Sequence, residues 1–354
     1  MIVQDVSLRS FRSYERLELA VRPGLVLAVG PNGVGKTNLL EAIHVATQGF
    51  SPRTRTDAQL VRFGDAGART AVSGRHGDVG LELEVTIRPG EGKRAKVNGA
   101  PLRAAEQLRT TVSTLVFTPD RLGVVKGAPV ARRAYFDRVL GRLFPARASL
   151  SVEYGGAVAQ RNASLRRAAG GYSTREAIEP WSEQVATLGA ELVAGRLEAI
   201  AALEPVFAER AEELGLADGA LRYEGEPPTR AALDSALARD LERGTTSLGP
   251  HLDDVVIVAG GHDLRSFGSQ GEQRLALLAL LLAEAEAITE RNGIPPLLLL
   301  DDVLSELDPR RRLILAERVR RSGQALVTAT DPSLLPAEPD QLLEVSPGAV
   351  AEAA

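Results

Sequence analysis

Eight consecutive residues, Gly30-Pro31-Asn32-Gly33-Val34-Gly35-Lys36-Thr37, spell G-x-x-x-x-G-K followed by Ser or Thr. Glycines at this spacing let the backbone curl until its N–H groups converge on a phosphate, helped by the start of the next helix. Lys36 supplies a point charge toward the β- and γ-phosphates, and the Thr37 hydroxyl can ligate Mg2+. Far along the chain, Pro296-Leu-Leu-Leu-Leu300 ends in Asp301-Asp302. Doubly wound sheets present ligands at the carboxyl ends of their strands, so Asp301 is placed to hold Mg2+ directly or through water. Asp302 is placed to orient or deprotonate an attacking water; its plainer alternative is a cap for the following turn.

These residues need a strand–loop–helix and a second strand to carry them. Val26–Val29 is a short apolar run before the loop, and Thr37–Thr47 places Leu39, Leu40, Ile43 and Ala46 at helical spacing after it. Leu81–Ile87 alternates apolar and polar as a half-buried strand, Asn98-Gly99 signals a hairpin, and Thr114–Phe117 reads as another strand. From about Pro129 to Arg243 the composition turns to Ala, Arg, Glu and Leu. Several helices are expected there, the longest around Thr174–Leu214, with Pro180 marking its start and Pro205 a kink or break. No heptads persist long enough for a coiled coil. Strand character resumes at Asp254–Val258, and a Leu-rich helix over Glu272–Glu290 leads to Leu297–Leu300. The expected organisation is an α/β domain built from both chain ends, 1–120 and 246–354, with a helical lobe over 121–245.

Composition narrows the chemistry. At 354 residues, 44% hydrophobic and 25% charged, the chain can bury a large core and is not disordered. It has no cysteine, and its four histidines (His44, His76, His251 and His262) show no helical ligand spacing, so a transition-metal enzyme is not expected. The longest apolar run, Leu275–Ala283, falls well short of the ~20 residues that span a bilayer, and the N-terminus has no export signal, so a cytoplasmic protein is expected. Net charge is −4, but residues 121–175 carry eleven basic against two acidic residues and 176–245 carry six against fifteen. Such blocks mark either a polyanion-binding face or two segments that pair with each other.

Phe267-Gly-Ser269-Gln270-Gly271-Glu272-Gln273-Arg274 resembles the signature motif of ABC-type ATPases, in which Ser and Gly open a helix aimed at the γ-phosphate held by a second subunit. By itself Ser269-x-x-Glu272 is also an ordinary capping box. Ser305-Glu-Leu-Asp308 resembles the D-loop of the same proteins. About 230 residues separate the phosphate loop from Ser269, more than in transporter ATPases and without the long coiled coil of SMC proteins. Along most of its length the chain resembles the RecF family of recombinational repair ATPases. Leu8-Arg-Ser-Phe11-Arg12-Ser-Tyr14, Pro119 to Asp137 and Leu248-Gly-Pro250-His251-Leu252-Asp253-Asp254 carry the resemblance.

The resemblance implies an ABC-type, SMC-like head, with Arg12 approaching the nucleotide. It also implies ATP and Mg2+ as ligands, and a homodimer with ATP sandwiched between heads. That dimer would clamp double-stranded DNA at gaps or junctions, with RecR and RecO as partners and slow, DNA-stimulated hydrolysis releasing the grip. Three departures stand out. Leu252 replaces a residue that is often basic in the family. Thr118-Pro119-Asp120 offers no Q-loop glutamine, and Thr330 or Asp331 stands where many ABC proteins have a switch histidine. Arg132, Arg133, Arg138, Arg142, Arg161, Arg166 and Arg167 are the candidate DNA-phosphate contacts, although Arg133 and Asp137 could instead form a helical i,i+4 pair. His251 is left without a role, and Trp181 and the tyrosines form no stacking pattern. The alternatives are the ATP-binding subunit of a membrane transporter and a metabolic phosphate-loop kinase.

Overall fold

The computed structural model describes residues 1–353, with the side chains of residues 119 and 120 outside the described set. The chain divides into two compact units, Met1–Arg121 with Glu284–Ala354, and Leu122–Ala283.

The first unit opens with β1 (Ile2–Phe11) and β2 (Tyr14–Ala20), followed by β3 (Leu25–Val29) and α1 (Lys36–Gln48). After α1 come β4 (Ala68–His76), β5 (Val79–Arg88), β6 (Gly92–Val97), β7 (Ala100–Pro101) and β8 (Thr114–Phe117). A six-stranded antiparallel sheet runs in the order β2-β1-β4-β5-β6-β7. Its alternation is plain in β5, where Leu81, Leu83, Val85 and Ile87 are buried and the residues between them are not. Asn98 and Gly99 both take positive φ, 49° and 79°, as a two-residue primed turn requires.

The second unit contains α2 (Gly123–Lys126), α3 (Pro129–Leu143), α4 (Leu150–Ala169) and α5 (Glu179–Glu213). Then follow β9 (Ala220–Glu224), α6 (Arg230–Ser235), α7 (Leu237–Arg243), β10 (Asp254–Ala259), β11 (His262–Asp263) and α8 (Gln270–Asn292), whose later residues belong to the first unit. Pro180 lies in the first turn of α5 as expected. Pro205 lies inside it without ending it, on the exposed face. The expected boundary near residue 245 differs from this division. β10 pairs with β9 over Asp254–Val258, so these residues are tied by a ladder to the chain that precedes them.

The first unit is completed by β12 (Leu297–Leu300), α9 (Pro309–Arg321), β13 (Ala325–Ala329), β14 (Gln341–Ser346) and β15 (Ala349–Glu352). Its second sheet has the order β15-β14-β3-β13-β12-β8, parallel apart from the edge strand β15. β3, β12 and β13 are buried at every position, the pattern of parallel strands covered on both faces. β13 lies between β3 and β12 in this order, so the phosphate loop and the aspartates leave strands two places apart.

Candidate functional site

The loop after β3 leaves Pro31, Asn32 and Gly33 exposed at its tip and enters α1 at Lys36. Gly35 takes φ 121°, and a β-carbon there would stand 2.9 Å from Ser13 Oγ and 3.1 Å from Tyr14 Oη. Only glycine fits both the angle and the space. Tyr14 Oη donates to the Gly35 carbonyl at 3.0 Å, and Asn38 Nδ2 donates to Ser13 Oγ at 3.0 Å. The turn after β1 therefore buttresses the loop.

Lys36 Nζ folds back to donate to the carbonyls of Gly30 at 2.5 Å and Pro31 at 3.0 Å. Burial lowers its pKa, while Asp302 and Asp301 act in the opposite direction. Thr37 Oγ1 donates to both oxygens of Asp301, at 3.0 and 2.9 Å. The two sequence motifs, 264 residues apart, thus meet at one point.

Asp301 is 5% exposed, and its burial raises the pKa against the hydrogen bonds from Thr328 and Thr37. Asp302 takes φ 50°, left-handed backbone that few non-glycine residues adopt. Its side chain makes no cap bond to the following turn, and its Oδ1 is buried with no hydrogen-bond partner among the described residues. Its amide instead donates to Thr328 Oγ1 at 2.9 Å.

Thr328 is the residue that sequence reasoning missed. Val327 pairs with Leu300 in the parallel ladder, which sets the next residue, Thr328, beside Asp301. Thr330 and Asp331, which stand where many ABC proteins have a switch histidine, are exposed, and Asp331 caps the amide of Ser333 at 2.8 Å. The one signal in the sequence was a lone hydroxyl residue in the otherwise apolar, fully buried run Ala325–Ala329. On the other side of β12, Thr118 follows β8; its hydroxyl is buried and makes no hydrogen bond among the described residues. The side chain of Asp120 lies outside those residues.

Arg12 sits in the left-handed region at φ 52° and pairs with Glu41 of α1 through two 2.9 Å bonds. The fully buried Glu41 carboxylate also accepts from Ser51 Oγ at 2.5 Å and Arg53 Nη1 at 3.3 Å. One carboxylate thus holds two guanidiniums beside the helix that begins at Lys36. Arg53 also acts electrostatically on Asp301. Neither Glu41 nor Arg53 belongs to a motif that would have singled it out.

In the second unit, Ser269 and Glu272 form the capping box: the Ser269 amide donates to Glu272 Oε2 at 2.8 Å, and the Glu272 amide to Ser269 Oγ at 3.2 Å. Gly271 is exposed, and a β-carbon there would stand in ordinary contact with Ser269 Oγ at 3.9 Å. Gln273 is buried and donates to the carbonyls of Leu264 and Gly268, pinning the turn before α8. Side-chain bonds therefore hold the start of α8, and Gln270 and Gly271 there are exposed.

Two expected DNA contacts are corrected. Arg132 is 2% exposed and clasps Asp254 through two 2.7 Å bonds, while Arg161 is fully buried against Asp240 at 2.7 Å. Arg133 donates to the Asp253 carbonyl at 2.6 Å, and Asp137 pairs with Arg196 rather than Arg133. Arg166 and Arg167, at the end of α4, remain exposed.

Chemically, the first unit offers a loop for phosphate oxygens, a lysine, and a hydroxyl with one paired and one unpaired carboxylate. This all-oxygen set fits Mg2+, which usually takes one or two protein oxygens and completes its shell with substrate phosphates and water. No cluster of three or more His, Cys, Asp or Glu suited to a metal occurs among the described residues. No helix among them is long and apolar enough to cross a membrane.

Residues 2–350 match the family described as RecF/RecN/SMC N terminal domain. The DNA replication and repair protein RecF of Symbiobacterium thermophilum is 39% identical over 352 residues, covering 94% of this chain and 92% of that protein. A solved structure of the recombination mediator protein RecF with ATP, in the RecFOR pathway, has TM-score 0.90 and 27% identity over 99% of this chain and 97% of that one. An Smc head bound to the C-winged helix domain of ScpA shares the fold, with TM-score 0.62 and 17% identity over 100% of this chain and 97% of that one.

Proposed function

The chain belongs to the RecF family of DNA replication and repair proteins, and we propose that it works as an ATP-dependent recombination mediator. The observation that carries this reading is the meeting of Thr37 with Asp301 beside Lys36, which makes one site of two distant motifs. In that site Lys36 exchanges its two loop carbonyls for the β- and γ-phosphates of ATP. Thr37 and Asp301 are the residues to hold Mg2+, which supplies neutralising charge to the phosphates. Asp302 Oδ1, having no hydrogen-bond partner among the described residues, is the acceptor for a water at the γ-phosphate. Arg12 brings a further positive charge from the turn over the loop.

The exposed start of α8, with Ser269 and Gly271, is proposed to face the ATP of a second copy, so that nucleotide joins two heads. The joined heads grip duplex DNA at gaps or junctions, and slow hydrolysis lets go. RecO and RecR are the partners that family membership suggests, and the cytoplasm the place of action. The polyanion contacts are proposed for exposed arginines such as Arg166 and Arg167, so DNA affinity falls steeply with salt.

Sedimentation with and without ATP, in the presence of DNA, tests this. Wild type dimerises on ATP; Lys36→Met binds no nucleotide; Ser269→Arg binds nucleotide and stays monomeric. Equal dimerisation of Ser269→Arg and wild type removes the role of the α8 start. DNA affinity indifferent to nucleotide and salt removes the clamp.

A further inference from the structure

The exposed face of the antiparallel sheet carries arginines in a row. Pairing register sets Arg16 of β2 opposite Arg9 of β1, and Arg9 opposite Arg69 of β4. Beyond them, Arg69 stands opposite Thr86 of β5, and Thr86 opposite Arg94 of β6. Neighbouring strands lie about 4.8 Å apart, so Arg16, Arg9 and Arg69 rise from backbone positions within about 10 Å of one another. The adjacent row, Leu17, Leu8, Thr70, Val85 and Ala95, is buried on the other face. Like charges directly opposite each other destabilise a sheet. Three in line break a local rule of sheet design, and such breaks mark places where a group outside the fold offsets the repulsion.

The row runs into a cleft of about 450 Å³ where β4 begins and β5 ends, with Arg9, Gly67, Arg69, Thr86, Arg88 and Glu91 in its lining. Arg69 is aimed by Glu84 Oε2, which lies 2.8 Å from both its Nε and its Nη2, and by Ser7 Oγ at 3.2 Å from its Nη1. Arg88 lies 3.6 Å from Glu91, a carboxylate shared with Arg94 at 3.4 Å. Arg9 is exposed and makes no side-chain hydrogen bond or ion pair among the described residues. The lining thus sets three guanidiniums against one carboxylate, and one of the three has no acid of its own.

From this convergence we propose that the cleft is an anion site for a phosphate group with three free oxygens, as on a phosphomonoester. Guanidiniums present paired N–H donors that match such oxygens, and Thr86 adds a hydroxyl. Donors that reach in from β1, β4 and the end of β5 surround a point rather than follow a line. That suits a group ending in the cleft, not a phosphodiester chain passing over it. The phosphate loop follows β3 of the other sheet and shares no residue with this lining. Two sources carry the required chemistry: the phosphate at a DNA strand end and a small phosphorylated molecule. The first rests on the DNA reading above; the site itself does not.

Calorimetric titration of inorganic phosphate into the full chain, at fixed ionic strength and with Lys36→Met to disable the phosphate loop, tests the site. Adding Arg9→Ala is expected to weaken phosphate binding by about tenfold or more, and adding Glu91→Gln to strengthen it a few-fold. Phosphate binding that Arg9→Ala leaves unchanged, that Glu91→Gln weakens, or that chloride matches overturns the proposal. A second titration, with native Lys36 and ATP, uses gapped duplexes that differ only in a phosphate or a hydroxyl at the strand end. A preference for the phosphorylated end that Arg9→Ala abolishes identifies DNA as the source. Equal affinity for the two duplexes, unaffected by Arg9→Ala, identifies a small phosphorylated molecule. An equal loss of affinity for both in Arg9→Ala overturns the proposal, since a passing backbone then occupies the row. Should the wild type bind neither duplex, the DNA reading fails and the phosphate titration still decides the site.

Discussion

Thr328 Oγ1 donates to Asp301 Oδ1 at 2.8 Å from the neighbouring strand, and the same oxygen accepts the amide of Asp302 at 2.9 Å. One hydroxyl therefore orients the carboxylate proposed for Mg2+ and fixes the backbone of the residue proposed to act on water. Thr328→Val keeps the shape but removes both bonds. It leaves a part-buried amide unpaired, a cost of about 1–3 kcal/mol. In a urea titration the variant is expected to lose that much stability. In a phosphate-release assay it loses turnover while ATP affinity stays within a few-fold. Thr328→Ser, which retains the hydroxyl, recovers turnover; a Ser variant as slow as Val removes the positioning role.

Asp302 stands at φ 50° with a buried oxygen that has no hydrogen-bond partner among the described residues. Asparagine tolerates the left-handed region, so Asp302→Asn is expected to fold and bind ATP as wild type does. Losing a general base typically costs 10²–10⁴ in rate, and a fall of about that size is expected in single-turnover hydrolysis. A variant that hydrolyses ATP at the wild-type rate leaves Asp302 as a structural residue of the turn.

The strands and helices around these groups were legible because their patterns are strong. β8 and β12 begin and end where the apolar runs do, and α1 and α8 extend the expected helices by one or two residues at each end. The meeting of Thr37 with Asp301 followed from motif order. Thr328 did not, because its importance comes from the register of β13 against β12, and register is a property of pairing. Arg132 and Arg161 were misread for a related reason. An arginine in a basic block has the same composition whether it faces water or a buried aspartate, and the partners Asp254 and Asp240 lie 122 and 79 residues away. Glu41 was hidden likewise, since an acidic residue in a helix does not disclose that two arginines from other segments will close on it.

His251 links stability to pH. Its Nε2 lies 3.1 Å from the Thr246 carbonyl, which can only accept, so Nε2 carries the proton and Nδ1 accepts from Tyr154 at 2.7 Å. Burial lowers its pKa below 6.5, Arg133 adds to this, and the Thr246 bond with Asp253 and Asp240 opposes it. Below pH 6.5 the unfolded chain takes up a proton that the folded protein resists. The stabilisation is therefore complete above that pH and declines as pH falls toward the depressed folded value. Thermal melts between pH 7.5 and 5 are expected to show a steeper decline for wild type than for His251→Gln, which has no proton to take up. Parallel curves remove the histidine as the cause.

Arg161 and Arg167 share a helix and a charge but not a surroundings. Arg161 is sealed inside, bonding Asp240, Ser182 and Thr246, whereas Arg167 is open to water. Removing one member of a buried pair strands the other, so Arg161→Met is expected to cost about 3–5 kcal/mol of stability. In conditions where it stays folded, it keeps the wild-type dependence of DNA affinity on salt, because its charge releases no counterion. Arg167→Ala is expected to do the reverse: little change in stability, weaker binding to every DNA sequence, and a salt slope smaller by about one. Measuring both variants by denaturation and by DNA titration across salt separates structural from contact arginines. A salt slope reduced by Arg161→Met and untouched by Arg167→Ala places the DNA surface elsewhere than the end of α4.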